Sequence, residues 1–157
     1  MQKLLMIVVA VIVLGLIARV AIGFFSASRV ATGLISNDAA APKLSGCDDL
    51  HNCTASTATS SRNLIEALSY KVPASDAIAE FSRLITSQSG TQIITQQPNY
   101  LHATYKTTLL GYTDDLELLL DESTGILNVR SASRIGKSDL GANRKRIEAL
   151  RQLANNN

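Results

Sequence analysis

Residues 4–25, LLMIVVAVIVLGLIARVAIGFF, form a run of 22 with a single charge, Arg19. At 1.5 Å per residue a helix of this length spans about 33 Å, enough to cross a bilayer core. A core helix of a water-soluble domain carries a polar face, and residues 4–18 have none. The run is therefore read as a membrane anchor, with Arg19 snorkelling to the nearer interface. The alternative is a cleaved signal peptide, with Lys3 as a thin n-region and Ser26, Ala27 and Ser28 as the small-residue cleavage site, after which the chain is exported. The 15 uninterrupted apolar residues sit at the upper edge for a signal segment, which favours the anchor.

Charge separates this segment from the rest. Residues 1–35 hold Lys3, Arg19 and Arg29 and no acid, while the other 122 residues hold 12 basic and 13 acidic side chains. The body has no global field to gather nucleic acid or anionic lipid. Residues 130–157 are locally basic, with seven basic and two acidic side chains, Arg144, Lys145, Arg146 and Arg151 among them. No aromatic groups for base stacking accompany them, so a solvated helix face is expected and no nucleic acid partner.

Flanking charge leaves orientation open, because Lys3 and the amino terminus on one side are matched by Arg29 on the other. Cys47 and Cys53, six positions apart in a stretch too polar to bury them, would pair outside the cytoplasm. The bland alternative is two free thiols in a cytoplasmic linker. Cys47, His51 and Cys53 lack a fourth ligand, and no metal is expected. The anticipated address is thus single-pass membrane with the folded part extracytoplasmic, in the periplasm of a cell envelope.

The chain divides into residues 1–30, the anchor or signal segment; 31–62, a flexible linker rich in Ser, Thr, Ala, Asn and Asp that carries the cysteine pair; and 63–157, a folded α+β domain. Leu64–Val72 reads as the first strand, stopped by Pro73. A helix starting at Ala74 or Ser75 follows, with Ile78, Phe81, Leu84 and Ile85 as its apolar stripe and Gly90 at its end. Strands are expected at about 91–97, 99–109, 113–121 and 126–134, then a helix over about Leu140–Ala154 with Ile147, Leu150 and Leu153 inward. The order βαββββα implies an antiparallel sheet of about five strands with two helices on one face. A four-residue loop, 122–125, closes a hairpin that sets Leu120 against Leu127, Leu118 against Val129, and, on the other face, Glu117 against Arg130.

The stretch VRSASRIGKSDLGANRKRIE, residues 129–148, resembles the signature of the DUF1499 family, a domain of unknown function. YTDDLE at 112–117 resembles that family's aspartate-aspartate-x-glutamate strand, and YLHA at 100–103 its preceding strand. Cys47 and Cys53 resemble its paired cysteines, although the prolines usual between them are absent. The resemblance covers about residues 47–153. It implies a bacterial or plastid-type protein, often with an N-terminal membrane or export segment, and it implies no activity.

Three readings of the polar residues compete. The bland one is a buried network: Glu117 pairs with Arg130, Asp115 or Asp114 with Arg134, Ser138 or Asp139 caps the last helix, and Asn143 bonds loop carbonyls, with Ser131, Ser133 and Arg144 nearby. The second is an anion site formed by Arg130, Arg134, the helix N-terminus and the Gly136-Lys137-Ser138 turn, although Asp139 would occupy the positive helix end. The third is an envelope enzyme centred on Asp115, Glu117, Arg130 and His102, the last as a general base. No phosphate-binding glycine loop, zinc-protease motif or nucleophile–base spacing supports it, and no cofactor is expected. The expected role is a non-enzymatic binding or assembly domain. Its partners are the membrane, through residues 4–25, and an envelope protein or small anionic ligand.

Overall fold

The computed structural model describes residues 1–28, 42–47 and 51–156. The apolar run lies within α1 (Gln2–Ser28), whose apolar side chains are exposed along most of its length. This helix is long and apolar enough to span a membrane or to be a signal sequence.

After it come β1 (Cys53–Ala55), α2 (Ala74–Thr86), β2 (Thr91–Gln96), β3 (Tyr100–Lys106), β4 (Thr113–Asp121), β5 (Ile126–Ser133) and α3 (Ala142–Asn156). The strands form one antiparallel sheet in the order β1-β5-β4-β3-β2. The α+β architecture and its βαββββα order are those expected from the sequence.

The core lies between one face of the sheet and the two helices. α2 contributes Ile78, Phe81, Leu84 and Ile85, α3 contributes Ile147 and Leu150, and the sheet contributes Leu101, Leu116, Leu118, Leu120, Leu127 and Val129. The three- and four-residue spacing on α2 makes one apolar stripe, and Asp76 sits in its first turn, where a negative charge favours the helix dipole. Phe81 is fully buried, which alone stabilises the fold by roughly 1.5–3 kcal/mol.

The β4–β5 hairpin has the expected register, with Asp121 facing Ile126, Leu118 facing Val129 and Glu117 facing Arg130. Asp121 Oδ1 accepts the Ser123 N–H at 2.9 Å, and Gly125 closes the turn at φ 71°. The Ser123 hydroxyl, which donates to the same oxygen at 2.6 Å, and then Thr124 hold the Asp121 carboxyl below its usual range.

Several expectations are corrected. Leu64–Val72 is not a strand; it runs extended with isolated bridges from Leu64 to Ala55 and from Leu68 to Leu127. Three of its carbonyls, at Leu64, Glu66 and Ala67, accept from side chains of α3. Arg144 Nη2 donates to Arg62 O and Leu64 O, and Arg151 donates to Glu66 O and Ala67 O. The basic face of α3, expected to be solvated, is thus partly a clamp on this segment. The first strand is β1, inside the stretch expected to be linker. The cysteines are buried despite their polar surroundings, packing with Ala55, Ala58 and Ala132. Leu153, expected inward, is 37% exposed, and Ala154 takes the buried position. The remainder of the expected linker, 31–41 and 48–50, lies outside the described residues.

Candidate functional site

Successive strand residues point to opposite faces, so Asp114 and Asp115 on β4 belong to two different clusters. On the face away from α2 and α3 lie Tyr100, His102, Asp115, Glu117 and Arg130. On the helix side lie Tyr105, Asp114, Ser131 and Asn143. All nine are buried.

In the first cluster, Glu117 Oε2 accepts from Arg130 Nη1 at 2.9 Å and Oε1 accepts the Tyr100 hydroxyl at 2.7 Å. Burial, and then this bond to Glu117, push the Tyr100 phenol well above its usual range. Asp115 is gripped at both oxygens: Arg134 Nε reaches Oδ2 at 2.9 Å, Arg134 Nη2 reaches Oδ1 at 2.8 Å, and His102 Nε2 reaches Oδ1 at 2.8 Å. Burial alone would raise the Asp115 pKa, but the bonds from His102 and Arg134 outweigh it and hold the carboxyl below its ordinary value. An ionised carboxylate only accepts, so the His102 Nε2 carries the proton.

Arg134 has one further bond, from Nη1 to Ala27 O at 3.0 Å, in the last turn of α1. A guanidinium at a helix C-terminus also complements the helix dipole. Beside it the Thr113 N–H donates to Ser26 Oγ at 2.7 Å. Residues 42–47 lie over the same face, with Leu44 packed on Tyr100 and Leu119. Cys47 is linked to Cys53, Cα–Cα 5.4 Å.

In the second cluster, Arg146 Nη2 donates to Asp114 Oδ2 at 2.6 Å and its guanidinium lies 4.7 Å from the Tyr105 ring centroid. Burial pushes the Tyr105 hydroxyl up to about 12, against the opposing charge of Arg146. Asn143 uses its whole amide. Nδ2 donates to Asn52 O at 2.9 Å and Ser133 Oγ at 3.1 Å, while Oδ1 accepts from Ser131 Oγ at 2.7 Å and from Arg146. Asn52 in turn donates to Gly136 O at 2.8 Å, so its side-chain amide is engaged inside the fold. Asp139 caps α3, accepting from Asn143 N at 2.8 Å and Gly141 N at 3.0 Å. Burial raises its pKa, but those bonds lower it by more, with a net downward shift. Ser138 Oγ accepts the Leu140 N–H at 3.3 Å.

The structure thus joins Glu117 with Arg130, Asp115 with Arg134 and His102, and Asn143 with Ser131 and Ser133. It does not bring Arg130 and Arg134 to the α3 N-terminus, because they lie on the far side of the sheet. Arg144 belongs to neither cluster. Tyr100 and Tyr105 were not among the expected site residues, and Arg146, expected on a solvated helix face, is instead paired with Asp114. Arg146 precedes the buried Ile147 by one position, so helical spacing alone assigns it to the rim and only the sheet supplies Asp114. Tyr100 was legible, since it alternates with His102 on a strand whose neighbour carries Glu117.

Among the described residues no group of His, Cys, Asp and Glu is placed to hold a metal ion. The Arg130 Nε is buried without a hydrogen-bond partner, while its Nη1 bonds Glu117. Three grooves among the described residues are lined by none of Asp115, Glu117, Arg130 and His102.

Compared with known proteins, residues 43–153 of the 157-residue chain match the family model described as "Protein of unknown function (DUF1499)". No curated protein and no solved structure matched the chain.

Proposed function

The chain belongs to the DUF1499 family, and from that premise, which carries no activity, we propose that it is a membrane-tethered, non-enzymatic binding or assembly module of the cell envelope. Its buried charges hold the domain on its own anchor. The observation that carries this reading is the bonding of Arg134, which grips both oxygens of Asp115 through Nε and Nη2 and donates from Nη1 to Ala27 O at the end of α1. The residue types that would serve catalysis are joined to one another, and the joined set ends on the apolar helix.

A general base or an anion site needs a carboxylate or guanidinium facing open space. Here Asp114, Asp115 and Glu117 each receive a guanidinium. The enzyme or anion-binding alternative, using Asp115, Glu117, Arg130, Arg134 and His102, has less support for that reason. Retention of α1 is supported by the contacts of Ser26 and Ala27 with Thr113 and Arg134, which cleavage after Ser28 would remove. The Cys47–Cys53 link suits an oxidising compartment.

The test is the mature protein in its own membranes. Intact-mass measurement should recover residues 1–157, the protein should resist alkaline extraction, and added protease should reach the domain only from the extracytoplasmic side. A mature chain beginning after residue 28 would overturn the tethering, and a domain degraded only from the cytoplasmic side would overturn the address.

A further inference from the structure

We propose that two apolar loops beside the end of α1, carrying Leu109 and Leu110 on one and Leu140 on the other, insert into the interface of the bilayer that α1 spans. The proposal rests on the anchoring reading and extends it from a tether to a docked domain with one fixed face on the lipid.

Contact between backbones is the starting observation. Gly111, at φ 73°, meets α1 so closely that a Cβ there would lie 3.5 Å from Arg19 O and 3.6 Å from Gly23 Cα. A loop therefore rests against the helix between Arg19 and Gly23, inside the apolar run of residues 4–25. From Leu4 to Arg19 a helix rises about 22 Å and to Phe25 about 32 Å. A hydrocarbon core of about 30 Å consequently reaches the level of this contact. Whatever side chains that loop exposes must meet the boundary between acyl chains and headgroups.

The exposed side chains there are apolar. Leu109 is 80% exposed and Leu110 also projects outward. The second loop, at the same end of the sheet, presents Leu140 at 89% exposure. Leu140 is also the one non-glycine residue with positive φ, 52°, among the described residues. A left-handed backbone disfavoured for Leu is held by the bond to Ser138 and the Gly141 turn, and its effect is to keep this side chain away from the core. The groove between the loops has a volume of about 470 Å³ and is lined in part by Leu109, Leu110, Ile135 and Leu140. Its two acids are occupied, Asp114 by Arg146 and Asp139 by the backbone of α3. The exposed bases at this end, Lys106 and Lys137, suit phosphate headgroups.

The chain contains no Trp, so single-Trp variants report on one position each. Full-length Leu109→Trp, Leu110→Trp and Leu140→Trp are reconstituted in vesicles of phosphatidylcholine with a minor fraction of phosphatidylglycerol. Ile126→Trp is the control: Ile126 is exposed at the start of β5, opposite Asp121, and so eight strand positions, about 27 Å, from Thr113 beside the loops. Flotation reports anchoring. Emission at 109, 110 and 140 should shift to the blue and be lost on replacing the lipids by brominated ones, while Ile126→Trp stays quenchable by aqueous acrylamide. Vesicle-bound protein with 109, 110 and 140 as accessible to acrylamide as 126 overturns this proposal and leaves the anchor standing. A blue shift without lipid quenching also overturns it, in favour of a protein covering the patch. Failure to float overturns the anchor and the docking together.

Discussion

Glu117 and Arg130 face each other across β4 and β5, with Oε2 and Nη1 2.9 Å apart and both side chains buried. Removing one partner strands a desolvated charge, which should cost about 3–5 kcal/mol. Glu117→Ala and Arg130→Ala should each lower the denaturant midpoint strongly, and the double variant by less than the sum. Additive effects near zero would remove the case for a structural pair and return weight to a ligand-binding role.

Acid should unfold the domain through Asp115. Its folded-state pKa lies below the ordinary 3.8, so the unfolded chain binds the proton more tightly. The resulting stability is fully present above the unfolded value and is lost as pH falls through the folded one. Asp139 and Asp121 are shifted in the same direction. Urea midpoints should be flat near neutrality and fall below about pH 4. Asp115→Asn should be less stable at pH 7 and show a shallower acid decline; an unchanged decline would assign the acid lability elsewhere.

Asn143 is fully buried and links α3, β5 and the Asn52 carbonyl. Asn143→Ala leaves several buried partners unsatisfied and should cost about 1–3 kcal/mol or more in denaturant unfolding. Lys137→Ala, exposed on the neighbouring loop, should change stability by less than about 0.5 kcal/mol. Equal effects would contradict the network.

Unreduced, denatured protein should show no thiol reactive to alkylation, with both cysteines labelled after reduction. A loop this short contributes about 2 kcal/mol at most by chain entropy. Reduction should therefore lower stability modestly without unfolding the sheet, and full labelling before reduction would reject the bond in the mature protein.

Elements whose signal is local were legible. The apolar run, the stripe of α2 and the β4–β5 register each depend on residues within a few positions of one another, where periodicity of 3.6 or 2 dictates the face. The Glu117–Arg130 pair followed from that register, and the Asp139 cap from its place before α3. Leu64–Val72 misled because it has strand composition, yet its carbonyls at Leu64, Glu66 and Ala67 are taken by Arg144 and Arg151, 80 to 85 positions away.

By itself the sequence determined that the chain begins with a helix fit for a membrane and continues into an antiparallel sheet backed by two helices. Hydrophobic patterning is written into neighbouring residues and needs no distant partner to be read. Only the tertiary structure decided that Cys53–Ala55 is an edge strand paired with β5, that Arg146 and not Arg134 answers Asp114, and that Arg134 joins Asp115 to the end of α1. Those choices turn on which donors reach which acceptors across 19 to 107 positions of chain. A buried charge accepts whichever partner the packed fold brings within 3 Å, and no periodicity encodes that distance.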